Sequence, residues 1–378
     1  MSISPKKRII KKIGNAHIIW FEESNSWIQF EDPAWFVYLH YNSGEEPEKI
    51  SQRISKKYKL NGSESLKFVH DIVLEIRKLT TSSFHSQEIF SAQKFVSPEN
   101  FYSVHRYRFK SKIFEILFGS RLLEYMIHPS LAHLEMNRII KPHFRLEAFT
   151  SGSSTLLKIA DKAWVEEDAN LLKRRIFIEI SGLLYGKSDK GWLSFIHGSA
   201  VSNGKQTIIL STESGSGKST LAALLSRHGF KFVADDYVPI DARLCKAWPF
   251  PAALSVKDGA YNVLPPFYPE LDSAREFHFK GSKKTLKYIP FPNDGDFYKP
   301  LPVRALVFVK YKPGSSFSFR KVPALEALKR FNEEAWVSHS PEHARKFIRW
   351  FPSLECFEME YSDNQLAIKQ ISGLFWSS

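Results

Sequence analysis

Apolar and polar positions change period several times along the chain, and each change marks an element. Over 17–30, "HIIWFEESNSWIQF", aromatic and β-branched residues flank Ser24, Asn25 and Ser26, which predicts a hairpin. In "EDPAWFVYLHYNSG" (31–44) Asp32 is placed to cap a helix, Pro33 suits its first turn and Gly44 its end. "EEPEKISQRISKKY" (45–58) carries Ile50, Ile54 and Tyr58 on one helical stripe, with Pro47 at the start. A third stripe runs through Leu66, Val69, Val73, Ile76 and Leu79. Residues 1–95 therefore read as one small unit, a hairpin followed by three helices. The polar stretch from about 80 to 100 suits a linker. Short strands follow over 101–195 with one clear helix, "WVEEDANLLKRRIFIEISGLLYG". The last third alternates apolar runs and helical stripes as an α/β unit does.

The strongest chemical signal is "STESGSGKST" (211–220). Ser214, Gly215, Ser216, Gly217, Lys218, Ser219 and Thr220 follow the end of the G-x-x-x-x-G-K-[ST] phosphate-loop pattern, with Thr212 where the first glycine is usual. The apolar run "QTIIL" (206–210) precedes the loop. Leu221, Leu224 and Leu225 continue it as a helix that Gly229 can close. Strand, loop and helix thus stand in the order a phosphate cradle requires. Backbone N–H groups and the helix N-terminus would meet phosphate oxygens. Lys218 would add a full charge at the β- and γ-phosphates, and the Ser219 hydroxyl would ligate Mg²⁺. A threonine is tolerable at 212 if its φ stays negative.

Past that helix, "FKFVADDYVPI" (230–240) ends an apolar run on Asp235 and Asp236. In an open α/β sheet ligands bind beyond the carboxyl ends of the strands, so this run brings two carboxylates toward the loop. One would hold Mg²⁺ and the other would accept a proton from a nucleophilic hydroxyl. Upstream, "WLSFIHGSAV" places His197 and Gly198 before the loop strand.

"HGSAV...GKQTIILSTESGSGKSTLA...FVADDYVPI" resembles the HPr serine kinase/phosphorylase family. The resemblance implies an α/β P-loop kinase domain of HPr-kinase type over 96–378, with its P-loop core at about 192–378. It implies ATP and Mg²⁺, with Lys218 and Ser219 as phosphate and metal ligands. Asp235 would be the proton acceptor, Asp236 its companion and a metal ligand, and His197 a site residue. Which aspartate is the base stays open. Homo-oligomers are usual in that family. Two departures stand out: Thr212, and "KAWPFPAALSVKDGAYNVL" in place of the family's Arg-Gly-containing signature, which puts HPr as substrate and the reverse reaction in doubt. Lys287 and Arg304 are further candidate charges for the phosphates.

"WIQFEDPAWFVYLHYNSGEEPEKISQRISKKYKL" (27–60) is similar to PqqD-like domains, small α+β winged-helix units that recognise the leader of ribosomally made precursor peptides. That likeness implies that residues 1–95 bind a peptide as an added strand. A DNA-binding winged helix is the structural rival.

Composition changes the picture little. The 378 residues allow two or three domains, and 43% hydrophobic with 25% charged is ordinary for a globular protein. Net charge is +13, yet beyond "KKRIIKK" (6–12) no dense basic run appears, and no zinc-finger or RNP signature points to nucleic acid. No apolar run is long enough for a membrane span and no apolar h-region follows the basic start, so a cytoplasmic protein is expected. Cys245 and Cys356, far apart, fit a reducing compartment. The expected function is that of a kinase acting on a hydroxyl, a serine, of a peptide or protein, precursor peptides included. Its rivals are a nucleotide-gated peptide-binding module without transfer activity and a nucleic-acid-binding winged helix coupled to an ATPase.

Overall fold

The computed structural model describes residues 8–81, 89–213, 215–279, 285–292, 299–331 and 335–376. The chain divides into two units. The first takes residues 1–86 together with 325–332 and 337–353, and the second takes the remainder.

In the first unit, alternating apolar residues build an antiparallel meander of β1 (Arg8–Ile13), β2 (Ala16–Phe21) and β3 (Ser26–Phe30). The basic run read from the sequence as "KKRIIKK" thus extends into an edge strand, in which Ile9 is buried and Lys12 exposed or nearly so. β2 lies between the other two, and Ile18, Ile19, Trp20 and Phe21 are all buried, so both of its faces are covered. On one face Ile19, Phe21 and Phe30 meet Tyr38 and Ile76. On the other, Trp20 packs beside Trp27 and His339, and Trp27 beside Phe347 of the helix Pro341–Trp350. Asn25 Nδ2 donates to Val337 O (2.9 Å), fixing the returning chain against the hairpin turn.

The three expected helices form as α1 (Ala34–Asn42), α2 (Pro47–Tyr58) and α3 (Gly62–Thr81). Val37, Ile50, Ile54, Val69 and Val73 share one core, which confirms the helical stripes there. Leu66 departs from its stripe and is exposed. Asp32 does not cap α1: the cap position is Pro33, with no side-chain bond, and Trp35 N instead donates to Glu31 O (2.9 Å).

Among its described residues the second unit forms three sheets. A six-stranded sheet spans 90–166. The expected linker is part of it, since Phe90–Ser91 pairs with Lys162–Glu166. The helix Ala169–Tyr185 follows, capped by Asp168, whose carboxylate accepts from Asn170 N (2.7 Å) and Leu171 N (2.9 Å). In the ten-stranded sheet the fully buried strand Thr207–Ser211 runs parallel to Leu301–Tyr311, which in turn runs parallel to Glu355–Tyr361. On its other side Thr207–Ser211 pairs antiparallel with Gly198–Ser202, and that strand pairs with Lys231–Ala234. The "HGSAV" strand therefore stands between the loop strand and the strand that carries the aspartates. The loop helix Lys218–Arg227 buries Leu221, Leu224 and Leu225 in a core shared with Leu254, Val256 and Ile289 of the three-stranded sheet. No helix among the described residues is long and apolar enough to cross a membrane.

Candidate functional site

Two glycines shape the loop. Gly215 (φ +93°) and Gly217 (φ +96°) take a left-handed backbone that other residues adopt at a cost. At Gly217 a Cβ would also stand 2.9 Å from Tyr361 Oη and 3.0 Å from Tyr311 Cβ, so the two tyrosines press the loop backbone directly. Tyr311 N donates to Ser216 O (2.8 Å), which ties the loop to the end of the adjacent parallel strand. Lys218 opens the helix with its side chain almost buried, and its Nζ donates to Thr212 O and to Glu213 O (2.9 Å). Ser216 Oγ is buried and meets no hydrogen-bond partner among the described residues. Ser214 lies outside the described residues.

Thr212 contradicts its sequence expectation. Its φ is +152°, not negative, so the position keeps the conformational demand of the glycine it replaces. A β-branched residue there stores strain.

The two aspartates part company at the end of the strand Lys231–Ala234. Asp235 is only 2% exposed. Its Oδ1 accepts from Ser199 Oγ (2.5 Å) and from Ser219 Oγ (2.9 Å), and its Oδ2 from Ser255 N and Ser255 Oγ (both 2.9 Å). Burial pushes its carboxyl up to about 6, with the charge of Asp236 adding to the effect; the bonds from Ser199, Ser255 and Ser219 pull the other way. Asp236 sits at φ +60°, a conformation aspartate tolerates better than most residues, and lies on the wall of the cleft. Its Oδ2 stands 3.1 Å from Ser255 Oγ. Ser255 has one hydroxyl proton for two carboxylates. A further proton or a cation is needed to balance the pair.

The cleft encloses about 270 Å³. Gly215, Gly217, Lys218, Ser219 and Thr220 form one side, and His197 and Asp236 reach it from the neighbouring strands. Gly198 lets the His197 strand approach closely, since a Cβ there would lie 2.5 Å from Leu210 O. Of the site residues expected from the sequence that the structure describes, His197, Gly215, Gly217, Lys218, Ser219, Thr220 and Asp236 line one cleft; Asp235 lies just beneath it, and Ser216, its hydroxyl buried, is not part of the lining. Lys287 and Arg304 do not reach it. Lys287 Nζ donates to Leu271 O (3.0 Å) and pairs with Glu276 (3.7 Å), while Arg304 pairs with Glu355. Ser199, Ser255, Lys257, Tyr311 and Tyr361 are participants the motifs do not flag. The signal for Ser255 and Lys257 stood in "ALSVKDGA", two polar residues at alternate positions of a short strand.

The donor set suits a nucleoside triphosphate with a hard divalent cation. Hydroxyl and carboxylate oxygens from Ser219, Asp235 and Asp236 converge beside a glycine cradle.

No family model matches the chain, and no curated protein matches it. Among solved structures, the HPr(Ser) kinase/phosphatase from Coxiella burnetii aligns with 48% of this chain and 93% of its own, at 12% identity and a TM-score of 0.24. A TM-score of that size does not establish a shared fold.

Proposed function

We propose that the second unit is an ATP-dependent phosphotransferase of HPr-kinase type that transfers the γ-phosphoryl group to a hydroxyl, a serine of a peptide or protein. The observation that carries this reading is the bond from Ser219 Oγ to Asp235 Oδ1 (2.9 Å) at the helix N-terminus, with Asp236 turned into the adjoining cleft. The loop amides and Lys218 bind and orient the phosphates of the substrate nucleotide. Mg²⁺, when bound, would neutralise charge on the phosphate oxygens. Ser219 would be its direct ligand, and Asp235, behind it, the carboxylate that fixes the Ser219 hydroxyl. Asp236 accepts the acceptor hydroxyl's proton. This division reverses the roles the family resemblance implies for the two aspartates. The support is that Asp235 has both oxygens engaged by four donors, while Asp236 fronts the open space. His197, at the same wall, positions the acceptor.

For the first unit we propose peptide recognition of the PqqD-like kind. Its support is the three-stranded meander, with α1 and α3 packed on one face and the helix Pro341–Trp350 on the other. Among the described residues, no strand pairs with the outer edge of β1 or β3, where an extended peptide could add. Two buried cysteines in no disulfide, Cys245 and Cys356, fit an ATP-containing, reducing cytoplasm.

The test is incubation of the full chain with γ-labelled ATP, Mg²⁺ and short serine-containing peptides encoded next to its gene. Label on a peptide serine is the expected result. ATP binding with no label on any peptide or protein hydroxyl would overturn the transferase and leave a nucleotide-gated binding module.

A further inference from the structure

Away from the loop, the second unit holds another polar cluster, and none of its residues takes part in the proposed transfer. The strand Ser103–Phe109 presents His105 and Tyr107 on one face, two residues apart. The helix Arg121–Ile127 carries Glu124, and His128 follows it four residues on, one turn along the same face. Glu135, just past a short 3₁₀ turn, bridges back to Tyr107 through its backbone.

These groups are arranged around the Glu135 carboxylate. Oε1 lies 2.6 Å from His105 Nδ1, and Oε2 lies 3.8 Å from His128 Nε2. Each histidine has its other nitrogen held from behind: His105 Nε2 by Glu124 Oε1 (2.7 Å) and His128 Nδ1 by Tyr107 Oη (2.9 Å). An imidazole that donates its far N–H to a carboxylate or hydroxyl has its near nitrogen fixed as a lone-pair donor, which is how metal-ligating histidines are oriented. One ligand atom from each of His105, His128 and Glu135 lies within 4.8 Å of the others. Bonds of about 2.0–2.2 Å in a tetrahedron set ligand atoms roughly 3.4 Å apart, inside that range. A cavity of about 680 Å³ opens beside the cluster, with Glu124 and His128 in its wall, so a fourth position can face solvent.

We propose that His105, His128 and Glu135 form a binding site for Zn²⁺, with Glu124 and Tyr107 as the outer partners that orient the two imidazoles. Two nitrogens and one carboxylate favour Zn²⁺ over Mg²⁺, which prefers an all-oxygen set. The imidazole rings stack at 4.0 Å between centroids, and metal binding splays them so that both near nitrogens turn to one point. The bound ion would tie the strand Ser103–Phe109 to the chain that follows the helix Arg121–Ile127.

The experiment uses the full chain, stripped with chelator and then kept in excess Mg²⁺ so that the cation position of the loop cleft is filled. Zn²⁺ is titrated in competition with a chromophoric chelator. One equivalent should bind. His105→Ala and His128→Ala should each weaken binding by at least about 100-fold, and Tyr107→Phe by roughly 10- to 100-fold, the usual cost of losing an outer partner. His70→Ala, in the first unit, should bind as the wild type does. Should the alanine variants fail to fold, Tyr107→Phe and Glu135→Gln are read instead, both by affinity and by the visible spectrum of the Co²⁺-loaded protein, which each should change. Absence of stoichiometric Zn²⁺ binding by the wild type overturns the site. So does wild-type affinity in folded His105→Ala and His128→Ala, or an unaltered Co²⁺ spectrum in Glu135→Gln.

Discussion

The floor and the mouth of the loop cleft come from the same few residues of chain, yet they are different environments. The floor is Asp235 with Ser199, Ser219 and Ser255, where every carboxylate lone-pair direction meets a donor and almost no surface is exposed. The mouth is Asp236, His197 and Lys257 around open space. One change of backbone separates them, since Asp236 turns into the left-handed region directly after the strand ends. The comparison shows how two adjacent identical side chains acquire different chemistry. A buried carboxylate with both oxygens engaged can hold a hydroxyl in place but gives a substrate hydroxyl no open approach. One at an open wall can take that hydroxyl's proton.

Lys218 lines the cleft with its side chain almost buried and its Nζ on the loop carbonyls of Thr212 and Glu213, so its loss should cost most. Lys218→Ala is expected to lower nucleotide turnover by at least about 10²–10³-fold, the scale of removing one preorganised charge donor. Titration of labelled ATP with Mg²⁺, alongside turnover, measures this. Affinity and turnover both at wild-type level would remove the loop from the site.

The aspartates should then separate. Asp236→Asn is expected to keep ATP affinity while transfer falls by at least about 10²-fold, because the amide cannot take the hydroxyl proton. Asp235→Asn should act chiefly on the metal, raising the Mg²⁺ concentration needed for half-maximal nucleotide binding by roughly 10- to 100-fold through the disoriented Ser219 hydroxyl. The same phenotype in both variants would erase the distinction between floor and mouth. An exchange of phenotypes would restore Asp235 as the base.

A pH series in the absence of metal sharpens the same contrast. The Asp235 carboxyl, pushed up to about 6 by burial and by Asp236, holds a proton in the folded chain that the unfolded chain releases near its ordinary value of 3.8. The stability it contributes is therefore full below about pH 4, falls as pH rises toward 6, and is level above that. Glu179, which burial pushes up to about 7, titrates in an overlapping range, so the informative quantity is the difference between wild type and Asp235→Asn. The urea midpoint of the wild type should fall relative to that of Asp235→Asn as pH rises from 4 to 6. A pH-independent difference would mean that Asp235 is ionised throughout.

How much of this was legible in the sequence follows from the range of the contacts. The three helices of the first unit were readable because Ile50, Ile54, Val69 and Val73 recur at local helical spacing. The strand Arg8–Ile13 was masked by its lysines, and the return of residues 337–353 to cover Trp20 and Trp27 leaves no local mark at all. In the site, the loop and the paired aspartates were legible as contiguous motifs. Ser199 and Ser255 were not, since an isolated serine in a strand carries no pattern until the sheet brings it to Asp235. Lys287 and Arg304 misled for the complementary reason: a lone cation in the sequence shows no partner, and in the fold each finds an acceptor away from the cleft.

The smallest expected effect concerns the residue that breaks the motif. Thr212 holds φ +152° and so bears the strain a glycine would not. Its carbonyl accepts from Lys218 Nζ, a contact that any residue at 212 retains, and its hydroxyl turns only to the adjacent Ser211 carbonyl. Thr212→Gly should relieve strain of about 1–3 kcal/mol. The greater freedom of glycine in the unfolded chain offsets roughly 0.4–1 kcal/mol of this. The net is a stabilisation of about 1 kcal/mol, which in a unit of this size raises Tm by roughly 2–4 °C. Because no phosphate-facing group changes, ATP affinity should stay within about threefold, a shift smaller than 1 kcal/mol. Calorimetry of the two proteins with and without nucleotide decides it. A lower Tm for Thr212→Gly would mean that the threonine side chain contributes more to the loop than its backbone costs, and the sequence departure would then be a feature of the cradle, not a defect in it.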